Sequence, residues 1–168
     1  MCIRDSNING WNYSDKIGRI KNDWALNAAI ARGGYGNTVE DSVYHQRSTD
    51  EQGLPLSGTH RYQLTFAAGQ LPPVGEFWSV TAYDAATFDL IENSIQRYSL
   101  GDRTPGLQRN PDGSLTLALQ RDPPADARLR ANWLPVGDRP FYLIMRTYDP
   151  APQIATGQWA PPPVVRQP

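Results

Sequence analysis

The 168-residue sequence predicts a mainly β protein, a jelly-roll-like β-sandwich with one N-terminal packing helix. Three observations lead there. Turn formers are abundant, with 15 prolines and 14 glycines, and they accompany five tryptophans and eight tyrosines. That mixture suits short strands and tight connections better than a helical bundle. Beyond Gly36, apolar and polar residues alternate with a period of two in several separate stretches. One segment, near the N-terminus, carries a helical period instead.

Taken in order, Met1-Cys2-Ile3-Arg4-Asp5-Ser6 has neither the apolar core nor the small-residue cleavage site of a signal peptide. It reads as a non-native leader, which places the true N-terminus upstream and leaves residues 7–168 as a single domain. Setting the leader aside removes Cys2, the sole cysteine, so no intrachain disulfide or cysteine metal site is expected. Residues 18–32 place Ile20, Trp24, Ala28 and Ala31 on one helical stripe, widened by Ile17, Leu26 and Ile30. Ser14-Asp15 is the start signal and Gly33-Gly34 the stop. The pattern is that of a helix laid over a sheet.

Residues 42–46 form the first expected strand, followed by a polar turn from Ser48 to Gly53. Tyr62, Leu64 and Phe66 alternate with Gln63 and Thr65, as in a half-buried strand. Residues 69–75 break regular structure, and residues 77–83 carry bulky side chains on both faces, the mark of a central strand. The turn signal Asn110-Pro111-Asp112-Gly113-Ser114 introduces a hairpin arm over residues 115–120. Residues 141–148 make the last strong strand. The proline-rich tail from Pro150 is expected to be extended and pinned by Trp159.

The phrases Gly53-Leu54-Pro55-Leu56-Ser57-Gly58, Tyr62-Gln63-Leu64-Thr65-Phe66 and Leu71-Pro72-Pro73-Val74 occur here in order. They are followed by Phe77-Trp78-Ser79-Val80-Thr81-Ala82-Tyr83-Asp84, Arg97-Tyr98-Ser99-Leu100-Gly101-Asp102-Arg103, Asp112-Gly113-Ser114-Leu115-Thr116 and Asn132-Trp133-Leu134-Pro135. Across roughly residues 9–165 the chain resembles the bacterial family called domain of unknown function 1214. The resemblance implies a jelly-roll-like β-sandwich. It also implies a missing N-terminal partner domain, of the kind called domain of unknown function 1254, and location in the bacterial periplasm or cell envelope.

Composition sets outer limits on function. A net charge of −1 and a pI near 6.1 give no electrostatic reason to expect nucleic acid. No apolar run approaches the ~20 residues of a membrane span. No Gly-x-Ser-x-Gly elbow occurs, and Gly33-Gly34-Tyr35-Gly36 follows a helix where a phosphate loop would open one. His45 and His60, with Asp50, Glu51 or Glu76, have no diagnostic metal spacing, so neither metal nor cofactor is expected.

The best charged cluster comprises Asp84, Arg97, Tyr98, Asp102 and Arg103, at strand ends where sites commonly lie. Arg97 or Arg103 would hold a carboxylate or phosphate, and Asp84 or Asp102 would act as general base if burial raised its pKa. The plainer reading is that these side chains pair with one another and lock loops. Tyr44, Tyr62, Trp78, Tyr83 and Trp133 form either a flat ligand-binding surface or simply core and rim. The leading expectation is a scaffold domain contributing one wall of a small-ligand site. Its rivals are a hydrolase or lyase acting on a small anionic or glycosidic substrate, and a carbohydrate-binding module.

Overall fold

The computed structural model describes residues 6–13 and 37–168. The expected helix over residues 18–32 and its glycine stop lie outside the described residues, as does all but the last residue of the leader. Among the described residues there are ten strands: β1 (Ser6–Ile8), β2 (Trp11–Tyr13), β3 (Ser42–Arg47), β4 (Arg61–Phe66), β5 (Val74–Asp84), β6 (Ser99–Gly101), β7 (Leu115–Gln120), β8 (Trp133–Pro135), β9 (Phe141–Pro150) and β10 (Val164–Gln167). Two short helices, α1 (Ala127–Ala131) and α2 (Pro152–Ala155), complete the described elements.

The strands form a β-sandwich. One sheet has the order β1-β2-β3-β9-β5-β6 and the other β10-β4-β7-β8. Alternation dictates the core. β9 turns Phe141, Leu143, Met145 and Thr147 inward, all at most 1% exposed, and β4 does the same with Tyr62, Leu64 and Phe66. These meet Trp78, Val80, Leu117, Leu119 and Leu134 between the sheets. Each such side chain contributes about 1.5–3 kcal/mol when fully withdrawn from water. Thr147 is tolerated inside because its Oγ1 donates to the Val43 carbonyl at 3.1 Å.

The structure corrects two local expectations. The turn before β7 forms as read, with Asn110 N–H on the Ser114 carbonyl at 2.8 Å and Gly113 at φ +83°. β7 is not a hairpin arm, however. It pairs antiparallel with β4 and parallel with β8, partners supplied from far along the chain. The tail is not extended throughout: α2 interrupts it, with Pro152 in its first turn and Ile154 fully buried.

Beyond α2 the tail crosses from one sheet to the other. Trp159 Nε1 donates to the Gln70 carbonyl at 3.3 Å, and Trp11 Nε1 to the Pro162 carbonyl at 2.8 Å. The crossing ends in β10, the edge strand beside β4. There Glu51 covers the free edge: its N–H donates to the Val164 carbonyl, and its carboxylate accepts the Arg166 N–H, both at 2.9 Å.

Arg47 and Asn132 are buried polar anchors. The Arg47 guanidinium donates to the carbonyls of Asn9, Thr49 and Asp50. It fills the space that a side chain at Gly10 would need, where φ is +79°. Asn132 bridges Gln108 and Thr116, donating to both carbonyls and accepting the Gln108 N–H at 2.8 Å. Part of the Asn132-Trp133-Leu134-Pro135 phrase is thus a clamp between a loop and β7.

Candidate functional site

The alternation that fills the core also builds the opposite face of the six-stranded sheet. Tyr142, Ile144, Arg146 and Tyr148 of β9 point outward and are half-buried. The register sets Phe77 opposite Tyr148, Ser79 opposite Arg146, Thr81 opposite Ile144 and Tyr83 opposite Tyr142. On the other flank Tyr44 of β3 stands opposite Arg146. Two stacked ring pairs result: Phe77 with Tyr148 at 4.4 Å, and Tyr83 with Tyr142 at 5.4 Å. Between them lies a low floor containing Ser79 and Thr81, bordered by Gly101 and Ser99 of β6.

Arg146 lies on that floor. Its Nη1 donates to Thr81 Oγ1 at 3.2 Å and its Nη2 to the Tyr83 hydroxyl at 2.8 Å. Its guanidinium carbon is 5.7 Å from the Tyr44 ring centre and 5.6 Å from that of Tyr83. Among the described residues it forms no ion pair with a carboxylate. Burial pushes the Tyr142 and Tyr148 phenols above their ordinary pKa, with Arg146 pulling both the other way. These groups are neutral hydrogen-bonding hydroxyls at physiological pH.

At the end of β5 the chain forms a second exposed feature. Asp84 Oδ1 accepts the Ala86 and Thr87 N–H groups at 2.8 and 3.1 Å, and its backbone carbonyl accepts the Phe88 N–H. This turn sets Phe88 at φ +65°, in the left-handed region that a β-carbon disfavours, and leaves it 69% exposed. Its ring reaches Tyr142 at 6.1 Å, which joins the tip to the aromatic face. Leu90 and Ile95, on the same connection, are also exposed. Beneath the tip is a cleft of about 550 Å³, lined by Asp84, Asp89, Glu92, Asp138 and Arg139 among others.

The charged cluster expected from sequence does not converge. Asp102 accepts the Trp78 N–H at 3.1 Å, six strand residues from Asp84, which is roughly 20 Å of extended chain. No single substrate bond lies within reach of both. The bonds from Ala86 and Thr87, then the charge of Arg139, hold the Asp84 carboxyl below its usual range, with desolvation opposing them. A general base working near neutrality needs the reverse shift. Arg97 is committed to structure: Nη1 donates to the carbonyls of Ala131 and Trp133 at 3.1 and 3.0 Å. Arg103 pairs with Glu76 at 3.1 Å on the surface and covers the Phe77 ring. Tyr98 is half-buried just before β6, and Tyr83 belongs to the aromatic face.

Trp78 and Trp133 are 3% and 6% exposed, so neither offers a flat platform to a sugar. Trp133 is held further by its Nε1 bond to the Gln120 carbonyl at 2.8 Å. Among the described residues no group of three His, Cys, Asp or Glu side chains is placed to hold a metal. Sequence reasoning passed over Arg146, Phe77, Phe88, Tyr142 and Tyr148. The available signal was the outward set of β9, where a half-buried strand ordinarily alternates to plain polar residues and this one alternates to aromatics and arginine.

The family of proteins of unknown function designated DUF1214 matches residues 41–152. Among solved structures, the chain is similar to the VPA0106 protein from Vibrio parahaemolyticus, with 30% identity and a TM-score of 0.74. That match covers 92% of this chain and 37% of the Vibrio chain. An uncharacterized protein from Burkholderia cenocepacia aligns at 16% identity with a TM-score of 0.44, over 78% of this chain and 30% of that one. The chain therefore spans well under half the length of either structure. No curated protein matches it.

Proposed function

Because the chain belongs to the DUF1214 family of proteins of unknown function, we propose that it is a scaffold domain of a longer bacterial envelope protein. It docks on the remainder of that protein through the Phe88 tip and offers the outer face of the six-stranded sheet as one wall of a small-ligand site. The observation that carries this reading is Phe88 itself. A phenylalanine at φ +65° costs about 1–2 kcal/mol relative to a relaxed backbone, and its exposed ring returns little of that within the chain. Burial of the ring in a partner would more than offset the strain. The rim, where Asp84, Asp89, Glu92 and Asp138 outnumber Arg139, supports a partner surface that is apolar at its centre and basic at its edge. The length of the Vibrio relative supports further polypeptide as that partner.

The test is hydrogen exchange on residues 85–98 in this chain alone and in the complete reading frame that encodes it. Docking predicts strong protection in the longer protein and loss of that protection in Phe88→Asn. Equal exchange in both forms, or a reading frame encoding no further domain, would overturn the reading.

A further inference from the structure

We propose that Arg146 is an anion-binding residue and that the trough around it takes the carboxylate of a small planar molecule, an aromatic carboxylate being the simplest. This deepens the ligand-wall half of the reading above but stands on the Arg146 geometry, so failure of docking leaves it intact.

A guanidinium carries five N–H donors in a rigid fork that matches a carboxylate edge. Arg146 uses donors on Nη1 and Nη2 for the Thr81 and Tyr83 hydroxyls, and both acceptors are neutral. Its charge is therefore uncompensated among the described residues, while its position is already fixed. A group held in place before binding loses little entropy when an anion arrives. Charge-assisted bonds from such a group are stronger than neutral ones.

The surroundings select the body of the ligand. Tyr44 and Tyr83 flank the guanidinium from the two neighbouring strands. The ring pairs Phe77–Tyr148 and Tyr83–Tyr142 stand at the two ends of this face, with the short Ser79 and Thr81 side chains and half-buried Ile144 between them beside the guanidinium. From Phe77 to Tyr83 is roughly 20 Å of strand, a face on which a planar ring can lie beside the guanidinium. Aromatic walls around one fixed cation discriminate a planar carboxylate from a compact, fully hydrated anion such as phosphate. Arg103, by contrast, is already neutralised by Glu76 and stands outside the trough floor.

The experiment is calorimetric and thermal-shift titration of the full chain with benzoate, benzamide, acetate and inorganic phosphate. Benzoate is expected to bind and raise Tm. Benzamide, its uncharged counterpart, and acetate, which lacks the ring, bind at least about tenfold more weakly, the loss expected for one charge-assisted contact or one ring contact. Arg146→Gln should weaken benzoate about tenfold or more with the near-ultraviolet circular dichroism unchanged, and Arg121→Gln, exposed just after β7 in the other sheet, should leave it unaltered. If Arg146→Gln fails to fold, Tyr44→Leu decides: it keeps the charge, so it should weaken benzoate and leave acetate untouched. No benzoate binding, equal binding of benzamide, tighter binding of phosphate, or full benzoate affinity in either Arg146→Gln or Tyr44→Leu would overturn the proposal.

Discussion

Acidification should destabilise this domain through one histidine. His45 is 1% exposed on the inner side of β3, beside the Tyr13 ring at 5.1 Å and the Trp159 ring at 6.2 Å. Its Nδ1 has no hydrogen-bond partner among the described residues. Burial lowers its pKa from 6.5 to about 4, because the imidazolium would have to leave water. The unfolded chain therefore takes up a proton between these two values that the folded chain refuses. Stability from this group is complete above pH 6.5 and is lost progressively as the pH falls to about 4. At 1.36 kcal/mol per pKa unit, the interval from 6.5 to about 4 amounts to about 3 kcal/mol. Urea unfolding at about pH 7 and about pH 4 measures it, with His45→Leu as the reference that cannot titrate. The wild type should lose about 3 kcal/mol more than the variant across that range, the carboxylates common to both cancelling. Equal losses would refute the reasoning and show that the His45 site accepts a proton without leaving the fold.

Other variants test the anchors directly. Asn132→Leu strands the Gln108 N–H and the Gln108 and Thr116 carbonyls and should cost about 3 kcal/mol or more in chemical denaturation. Arg47→Met should cost a similar amount by orphaning three carbonyls, and Gly10→Ala should be damaging by driving a β-carbon into the guanidinium. Phe88→Asn should raise the stability of this chain alone by up to about 1 kcal/mol, read as a higher Tm, because asparagine tolerates the left-handed backbone. Arg97→Met should lower stability by about 1–2 kcal/mol without altering benzoate affinity, since its bonds go to backbone carbonyls.

The elements legible in the sequence were those whose alternation is local. β9, β5 and β4 show their inward sets residue by residue, and the turn before β7 is written in Asn110, Asp112 and Gly113. What escaped was pairing over long sequence separation. β8 has three residues and exists because β7 lies parallel to it, and β10 is a strand because β4 lies beside it. The same holds for the site. Asp84, Arg97, Asp102 and Arg103 stood out as charges at strand ends, yet Asp84 closes a local turn on Ala86 and Thr87, and the other three are engaged by groups distant in sequence that no spacing rule identifies. Arg146 sits in mid-strand and resembles an ordinary solvated position. Only the register with β3, which sets Tyr44 opposite it, and its reach across to the Tyr83 hydroxyl on β5 show that Tyr44 and Tyr83 stand on either side of it.

The Glu51 clasp on β10 has a consequence for how this protein meets other molecules. A bare strand margin invites foreign chains to add to it, the route by which many β proteins polymerise. Here the outward N–H of Arg166 and the outward carbonyl of Val164 are already taken by Glu51. Pro161, Pro162 and Pro163, just ahead, have no N–H to offer a newcomer. Growth of the sheet by zipping on a further strand is refused at that margin. Removing the Glu51 side chain should therefore be read out as turbidity on standing, because it would reopen the margin to neighbouring copies.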